Sequence, residues 1–379
     1  MPVFTAAAPN VDEETRGQYL SLYKRVLGDL SQAANFIVVL TGGSEPEILA
    51  AAGDYNIILA WPHYNSLPAA LEAAAALRES GRFAYVVQLE GPGAEPPMGK
   101  MERIVRVVDL LRRPPKLGLV GAPNKWLVAS SLRGKPDVAI DEGEVYDRSR
   151  ALGGLDVAER LVKGASHSAF SPHDLAPIAA YAKALAERAA GLDGITLGCW
   201  CFDFEAVKKR GWTPCISLAL LNDWGVTATC EGDLRALYSA VVLRRLSGRP
   251  AWISNVNKVY DWGILLTHDG APPSFGRYSV VPRMATRAPA ALRVDVEPGR
   301  PVTLLRVSSD LKRALLLKGV TAEGERVDAC STQVAVKLTV GSGGDVLRAG
   351  MGNHLAFVLD DVYEEARLYL EHVGAEVVP

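Results

Sequence analysis

Three carboxylates lie close together in one short stretch of the chain, residues 220–233. Asp223, Glu231 and Asp233 surround a segment that reads as a buried strand, and Glu231 is expected where this strand gives way to a helix. A charge there is costly unless a cation, hydrogen bonds or solvent compensate for it. Helix capping, worth about 0.3–1 kcal/mol, explains one of these carboxylates but not all three. The stretch is therefore a candidate site for metal binding or proton transfer.

Further along the chain, one amide and two imidazoles lie at the edges of apolar segments. Asn255 ends a predicted strand, His268 precedes an Asp-Gly turn, and His354 lies within Gly-Asn-His-Leu. One such histidine alone is usually a satisfied core residue. Together with Glu231 they make a mixed oxygen and nitrogen set, which suits Mn²⁺ or a similar divalent ion such as Mg²⁺ or Co²⁺. The predicted metal ligands are Glu231, Asn255, His268 and His354.

Two loops in the first third of the chain also follow predicted strands, where α/β sheets bind ligands. The segment Thr41–Glu45 opens a helix and fits a plain tight turn as well as it fits a sugar or phosphate contact. His63 and Asn65 lie in a polar cluster at residues 61–66, and this composition favours a ligand loop over a solvated one. We therefore take His63 and Asn65 as candidate substrate-binding residues.

The order of several short blocks resembles the L-fucose isomerase-like family, whose relatives include the L-arabinose isomerases. The main block is Asn222-Asp-Trp-Gly followed by Ala228-Thr-Cys-Glu-Gly-Asp. The other blocks that agree are Gly118–Leu127, His268–Pro273, Pro298–Leu304, Cys330–Gln333 and Gly352–His354. Together they cover roughly residues 115–365, while the first third matches only in its α/β texture and in the loop around Asn65.

The resemblance implies a Mn²⁺-dependent aldose–ketose isomerase of carbohydrate metabolism, built from three domains. It also implies a homo-oligomer, a trimer or hexamer, with active sites at the subunit contacts. Glu231 and His354 match metal-ligand positions of the family, and His268 matches a histidine that binds metal in some branches. The residues that we assign to substrate binding on this basis are Asn222, Asp223, Trp224 and Asn353, besides the two from the first third.

Asn255 departs from the family pattern, in which the matching position is acidic and takes part in proton transfer. An amide can coordinate a metal through its oxygen but cannot act as a base, and losing a general base typically costs about 10²–10⁴ in rate. The reaction moves a proton between C1 and C2 of the sugar through a metal-stabilised cis-enediol, with Glu231 as ligand and base. Asp233, Asp269 or a metal-bound water would then carry the second transfer. The predicted catalytic residues are Glu231, Asn255 and Asp233.

Two other functions fit the same residues. The first is a related metal-dependent sugar epimerase or lyase, for which one base suffices. The second is a non-catalytic sugar-binding homologue that has lost the second acidic residue at position 255. Metal content separates the binder from the two enzymes, and product analysis separates the enzymes.

The elements that position these residues begin with a repeating strand and helix pattern. Apolar runs at residues 36–40, 56–60 and 83–87 alternate with helical segments, which predicts a parallel sheet with helices on both faces. The breaker cluster Arg112–Pro115 marks a boundary, after which the pattern restarts with a strand at 116–120 and a further element at 124–130.

Beyond about residue 275, helical periodicity gives way to short alternating runs, typical of an antiparallel β domain. The predicted fold class is α/β, with two consecutive Rossmann-like parallel α/β domains followed by a β-rich, barrel-like C-terminal domain. The predicted domains are residues 1–113, residues 114–250 with the Asn-Asp-Trp-Gly and Cys-Glu-Gly-Asp blocks, and residues 251–379 with a terminal helix.

Composition narrows the classes of partner. The 379 residues exceed what one core usually supports, and a formal net charge of −2 gives no reason to expect nucleic-acid binding. The N-terminus lacks a signal-peptide pattern and no apolar run reaches membrane-spanning length, so we expect a cytoplasmic protein that does not bind membranes. The odd count of five cysteines predicts reduced thiols, with Cys199 and Cys201 simply buried on one face of a strand.

Overall fold

The computed structural model describes residues 2–379 and shows a mixed α/β protein. The chain forms two compact units, one that ends at Arg113 and one that begins at Pro114. A helix that ends at Arg112 cannot continue through Pro114 and Pro115, because proline lacks the amide proton and disfavours helical geometry in the residue before it. Among residues 2–379, no helix combines the length and the apolar character needed to cross a bilayer.

The first unit contains a four-stranded sheet in which every neighbouring pair is parallel, in the order β1-β2-β3-β4. Its elements are β1 (Val3–Ala6), α1 (Glu13–Leu27), β2 (Asn35–Val39), α2 (Glu45–Ala51), β3 (Tyr55–Ala60), α3 (Ser66–Glu79), β4 (Phe83–Gln88) and α4 (Met98–Arg112). Alternate residues of the strands pack against one face of α3, which is lined by alanines that recur at helical spacing.

Within residues 114–379, the second unit contains fourteen strands and eight α-helices. They are β5 (Leu117–Val120), β6 (Val138–Ile140), α5 (Glu142–Arg150), α6 (Leu155–Gly164), β7 (His167–Ser168), α7 (Pro172–Arg188), β8 (Gly194–Leu197), α8 (Phe204–Arg210), α9 (Cys215–Asp223), β9 (Thr227–Cys230), α10 (Leu234–Ser247), β10 (Ala251–Tyr260), β11 (Gly263–His268), β12 (Arg277–Val281), β13 (Ala291–Asp295), β14 (Pro301–Val307), β15 (Arg313–Ala322), β16 (Thr332–Val340), α11 (Gly343–Ala349), β17 (His354–Val358), α12 (Tyr363–His372) and β18 (Glu376–Val378).

The second parallel sheet has the order β6-β5-β8-β9. The chain leaves β5 toward β6 on one side and later returns to β8 on the other side, so the strand order reverses between β5 and β8. In open α/β sheets, ligands bind outside the carboxyl ends of the strands at such a reversal. The loops after β5, β8 and β9 all leave from this edge.

The β-rich part of the second unit is a closed barrel of six antiparallel strands. Its order is β14-β17-β10-β11-β16-β15, and pairing of β15 with β14 closes the ring. Strand β18 adds to β15 in parallel, and a separate three-stranded sheet has the order β13-β12-β7. The barrel-like character predicted for the C-terminal part is confirmed.

Two local predictions were wrong. Residues 124–130 form a loop of turns and not a helix or strand, because Pro123 and the hydrogen-bonding side chain of Asn124 break the pattern after β5. Cys199 and Cys201 lie beyond the end of β8 and are paired as a disulfide, so they are neither in a strand nor free thiols. Cys215, Cys230 and Cys330 are free and buried.

Candidate metal centre

Three side chains from separate strand ends meet in the second unit. Glu231 directly follows β9, His268 is the last residue of β11, and His354 is the first residue of β17. One ligand atom from each lies within 4.8 Å of the other two. Glu231 is partly buried and both histidines are buried. The second parallel sheet therefore supplies the carboxylate of this group, and the barrel supplies its two imidazoles.

The distances within this group are longer than hydrogen bonds. Oε1 of Glu231 lies 3.8 Å from Nε2 of His268 and 4.0 Å from Nε2 of His354. Both ring nitrogens of His268 and the Nε2 of His354 are buried and have no hydrogen-bond partner in the described part of the chain. An unpartnered buried polar atom costs free energy. A divalent cation between Oε1 of Glu231 and the Nε2 atoms of the two histidines would give both Nε2 atoms a partner, so these three residues fit a metal ion.

Asp233 fixes the ring of His354. Its Oδ2 lies 3.0 Å from Nδ1 of His354 and accepts a hydrogen bond of 2.7 Å from Nη1 of Arg306. Because Nδ1 faces a carboxylate, we assign the proton to Nδ1, which leaves the lone pair of Nε2 directed toward Glu231. A carboxylate behind a histidine in this way is the usual outer partner of a metal ligand.

Both carboxylate oxygens of Asp233 accept hydrogen bonds from other groups of the protein. Its Oδ1 accepts the backbone amides of Arg235 and Ala236 and thereby caps α10. Burial opposes ionisation of Asp233, but the hydrogen bond to His354 and the charge of Arg306 outweigh it and lower the pKa of this carboxyl. The geometry therefore gives Asp233 a positioning role, and its assignment as a catalytic residue stays a prediction.

His268 is held in its neutral form. Burial, together with the neighbouring His354, lowers the pKa of His268 to about 3. A neutral imidazole is the form that binds a metal ion, because its ring keeps a free lone pair. The site thus offers a ligand-competent ring at neutral pH.

The Glu231 carboxylate is aimed by its backbone and by a tryptophan. Glu231 has a φ of 67° and Gly232 a φ of 70°, so two successive residues adopt the left-handed conformation that non-glycine residues rarely take. Nε1 of Trp126 donates a hydrogen bond of 2.7 Å to Oε2 of Glu231. Oε1, the oxygen that faces the histidines, is left for a ligand.

The loop after β5 is tied to both neighbouring strand ends. Asn124 donates from Nδ2 to the carbonyl of Cys199, accepts the Cys199 amide at Oδ1, and donates its own amide to the carbonyl of Glu231. These three contacts hold the loops after β5, β8 and β9 together at the reversal of strand order. Trp126 is consequently fixed over the carboxylate of Glu231.

Asn255 and Asn353 lie beside the group and bond to each other. Asn255 is directly opposite His354 in the pairing of β10 with β17. Its Oδ1 accepts a hydrogen bond of 3.0 Å from Nδ2 of Asn353. The predicted fourth ligand is thus adjacent to the centre, with its amide oxygen engaged by a neighbouring amide.

The other predicted substrate-binding residues of the second unit have local structural partners. The buried side chain of Asn222 bonds to the backbone of Leu218 and Ala228 and closes the turn between α9 and β9. Asp223 accepts from the amide and hydroxyl of Ser274. With Trp224 it lines a cavity of about 190 Å³ whose lining includes none of the three grouped ligands.

His63 and Asn65 belong to the first unit, where they lie in the loop between β3 and α3. Tyr64 and Asn65 have φ values of 55° and 57°, so the loop turns sharply as it enters α3. Both side chains are exposed there, as a ligand loop requires. Their assignment to substrate binding stays a prediction.

Sequence reasoning missed two residues of this centre, Trp126 and Arg306. The sequence gives only a weak indication of a functional role for Trp126, namely that a tryptophan is unusual in a loop directly after a buried strand. Arg306 occupies an apolar strand, β14, where a fully buried guanidinium needs a counter-charge. That burial predicts a carboxylate partner, but its identity depends on the fold.

The chain was compared with known proteins. No protein-family model matches it, and none of the curated proteins is significantly similar to it.

Proposed function

We propose that Glu231, His268 and His354 bind a divalent metal ion and that the protein is a metal-dependent aldose–ketose isomerase, a divergent relative of the L-fucose isomerases. The observation that carries this proposal is the group of three ligand atoms within 4.8 Å, two of whose donors are buried imidazole nitrogens without hydrogen-bond partners. The residues are those for which the sequence blocks suggest a metal role.

One carboxylate and two imidazoles form a ligand set of intermediate hardness, between all-oxygen sites and thiolate sites. Such sets suit Mn²⁺, with Mg²⁺ and Co²⁺ as alternatives, and Asn255 could add an amide oxygen. When bound, the metal would act as a Lewis acid toward the sugar oxygens and favour loss of a proton from the adjacent carbon. The protein then has to supply a base and hold it in place.

Glu231 is the base that the geometry favours. Of the carboxylates near the centre, Asp233 is committed to Arg306 and His354, and Asp269 is paired with Arg283 at 3.0 Å while accepting the amide of Ser331. Glu231 would take the proton from the carbon that bears the hydroxyl and return it to the neighbouring carbon. The Trp126 hydrogen bond would keep the carboxylate pointed at the reacting carbon throughout.

A metal-dependent epimerase or lyase is the second candidate. It is favoured by the same commitment of Asp233 and Asp269, together with the amide at Asn255, because these reactions need only one base. A sugar-binding protein without catalysis is the third reading and predicts no proton exchange with solvent.

The proposal extends to the rest of the molecule. We propose that the two parallel sheets are Rossmann-like, and for the second unit the reversal of strand order between β5 and β8 supports this. The resemblance further suggests a cytoplasmic homo-oligomer, a trimer or hexamer, with a sugar as its ligand and active sites at subunit contacts.

The test is proton exchange at the sugar. The purified protein is stripped of metal, reloaded with Mn²⁺ and incubated in D₂O with a panel of aldoses and ketoses. Nuclear magnetic resonance then detects loss of the C–H signal next to the carbonyl, and chromatography identifies the product. Deuterium uptake with ketose formation supports the isomerase, and uptake with only an epimer or a dehydrated product supports the second candidate.

The controls separate the base from the fold. Glu231→Gln keeps the size of the side chain but removes both the base and a charged metal ligand, so exchange should fall by about 10²-fold or more. Glu187→Gln, on an exposed ion pair with Arg148, is the matched control and should exchange at the wild-type rate. Exchange by Glu231→Gln at that same rate would exclude Glu231 as the base.

A further inference from the structure

Four of the five cysteines converge at the same edge of the second parallel sheet. The sulfurs of Cys199, Cys201 and Cys230 all lie within 4.8 Å of one another. Sγ of Cys215 lies 3.6 Å from Sγ of Cys201. These residues come from three segments, namely the loop after β8, the start of α9 and the end of β9. The four sulfurs are therefore brought together by the fold and not by a short sequence motif.

The cluster is built into the protein interior. The four cysteines are between 3% and 5% exposed, so the sulfurs lie within a closed environment. The backbone around Cys199 is clamped on both sides by the Asn124 side chain. Cys230 is the last residue of β9 and is paired with Leu197 in the register of the sheet. Rigid backbone positions on two adjacent strand ends are what a preorganised metal site needs.

We propose that Cys199, Cys201 and Cys230, with Cys215 as the fourth sulfur, form a second metal site for a thiophilic ion such as Zn²⁺. This site can bind the ion only when the Cys199–Cys201 disulfide is reduced. Three or four thiolates select zinc and other soft ions over Mn²⁺, whose preferred ligands are oxygens. Oxidation removes two of the ligands, since disulfide sulfurs are no longer thiolates. The site thus has two exclusive states, a disulfide and a metal thiolate.

The proposed site is independent of the isomerase proposal. Its ligands are sulfurs, and none of them belongs to the group formed by Glu231, His268 and His354. The two sites are neighbours because Cys230 directly precedes Glu231. A failure of one site would therefore leave the other untouched as a hypothesis.

The test uses the full-length protein and Cd²⁺ as a probe, because sulfur-to-cadmium charge transfer absorbs in the ultraviolet and carboxylate or imidazole ligation does not. A trialkyl phosphine first reduces the disulfide, so that phosphine, disulfide and water yield phosphine oxide and two thiols. We expect saturation of the absorbance at one equivalent of Cd²⁺ after reduction and no such absorbance without reduction. Equal absorbance in the unreduced protein would show that the disulfide does not prevent metal binding, which would overturn the proposal.

Variants assign the ligands. Cys230→Ser removes one of the sulfur ligands and should lower the charge-transfer absorbance at saturation, whereas Cys330→Ser, the matched control at the fifth buried cysteine, should keep it in full. Glu231→Gln should also keep it, which separates this site from the neighbouring centre. Retention of the full absorbance in a folded Cys230→Ser protein would exclude Cys230 as a ligand.

A second measurement needs no substitution. X-ray absorption at the cadmium edge of the reduced wild-type protein, loaded with one equivalent, counts the sulfur neighbours of the ion. Three or four sulfurs are expected. A shell of only oxygen and nitrogen atoms would overturn the proposal even if the cysteine variants fail to fold.

Discussion

At the scale of single residues, the centre depends on one carboxylate that serves several partners. Asp233 caps α10, neutralises the buried Arg306 and orients His354, and it does so while fully buried. Removing one partner of such a network leaves the others uncompensated, which is more costly than the pair itself is favourable. Substitutions at this position should therefore affect folding and metal binding together.

Replacing Asp233 by asparagine tests this coupling. Asp233→Asn keeps an acceptor for the helix cap but leaves the buried guanidinium of Arg306 without a counter-charge, so we expect a loss of about 3–5 kcal/mol in the free energy of unfolding. His354 loses its orienting carboxylate, so the affinity for Mn²⁺ should fall about 10–100-fold. Urea unfolding and isothermal titration calorimetry measure the two effects.

The matched control is Asp203→Asn, because Asp203 also caps a helix, α8, but is exposed and, within residues 2–379, accepts only from the amide of Ala206 at 3.0 Å. Asparagine is an equally good cap, so unfolding should change by no more than about 0.5 kcal/mol. Equal effects of the two substitutions would show that the network around Asp233 adds nothing beyond capping.

Gly232 is the second residue on which the centre depends. A Cβ at Gly232 would lie 2.5 Å from Cα of Pro123, and the backbone has a positive φ. Gly211 also has a positive φ, but a Cβ there would meet no atom of the described residues within 4 Å. Gly211→Ala should therefore cost about 1–2 kcal/mol for the left-handed backbone alone.

Gly232→Ala should cost about 1–3 kcal/mol more than Gly211→Ala, because the clash with Pro123 is against backbone and has to be relieved by movement. That movement displaces Glu231, so Mn²⁺ binding should weaken in Gly232→Ala and stay unchanged in Gly211→Ala. Thermal unfolding and calorimetry of the two variants give the comparison. Equal destabilisation would mean that the turn has room to relax.

At the scale of elements, the loop after β5 acts as a support for the carboxylate. Trp126→Phe keeps an aromatic ring next to Phe202 but loses the donor to Oε2 of Glu231. We expect about 10–100-fold weaker Mn²⁺ binding, because a metal-binding carboxylate loses its outer hydrogen bond. Stability should change by less than about 1 kcal/mol, since Trp126 is 48% exposed.

Trp262→Phe is the control for this substitution. Trp262 is 40% exposed and stacks on Tyr260, with ring centroids 4.6 Å apart, in the turn between β10 and β11. It should leave Mn²⁺ affinity unchanged in the same titration. If both tryptophan variants bind Mn²⁺ like the wild type, the hydrogen bond to Glu231 has no role in the centre.

The elements themselves were largely predictable from local pattern. Apolar runs located β2, β3 and β4 to within one residue at each end, since each of these strands is a short continuous apolar segment. The loop at residues 124–130 was not predicted, because only two features prevent a helix or strand there. One is a proline, and the other is a side chain that bonds to a backbone group distant in the sequence, a contact that the sequence does not show. Closure of the barrel was not predictable in detail, because β17 pairs with β10 and β14, which are far from it in the sequence, and no local pattern encodes these contacts.

The candidate centre was predictable by residue type and not by arrangement. Glu231, His268 and His354 stood out because polar groups at the ends of apolar strands are costly unless they have partners. Their distances and the roles of Trp126 and Arg306 come from the folding of separate segments onto one edge. The side chain of Asn222 closes a turn, and a buried amide in that role has the same sequence signal as one that binds a ligand, so its assignment to substrate binding stays a prediction.

At the scale of the whole molecule, the candidate metal ligands and their supports all belong to the unit that begins at Pro114. The ligands also come from segments far apart in sequence, at residues 231, 268 and 354. An ion bound by all three would therefore stabilise every opening that separates the parallel sheet from the barrel. Openings confined to residues 2–113 would leave the three ligands in place.

Hydrogen exchange of the intact chain tests this difference. With Mn²⁺ at about 100 times its dissociation constant, binding adds about 2.7 kcal/mol to any opening that releases the ion, which slows exchange by about a hundredfold. We expect this slowing for the most protected amides of β9, β11, β17 and α10, and none for the sheet of the first unit. Glu231→Gln should abolish it, and His167→Gln, at an exposed histidine of β7, should keep it. Slowing of equal size throughout residues 2–379 would show that the chain opens as one unit, and slowing that persists in Glu231→Gln would place the ion elsewhere.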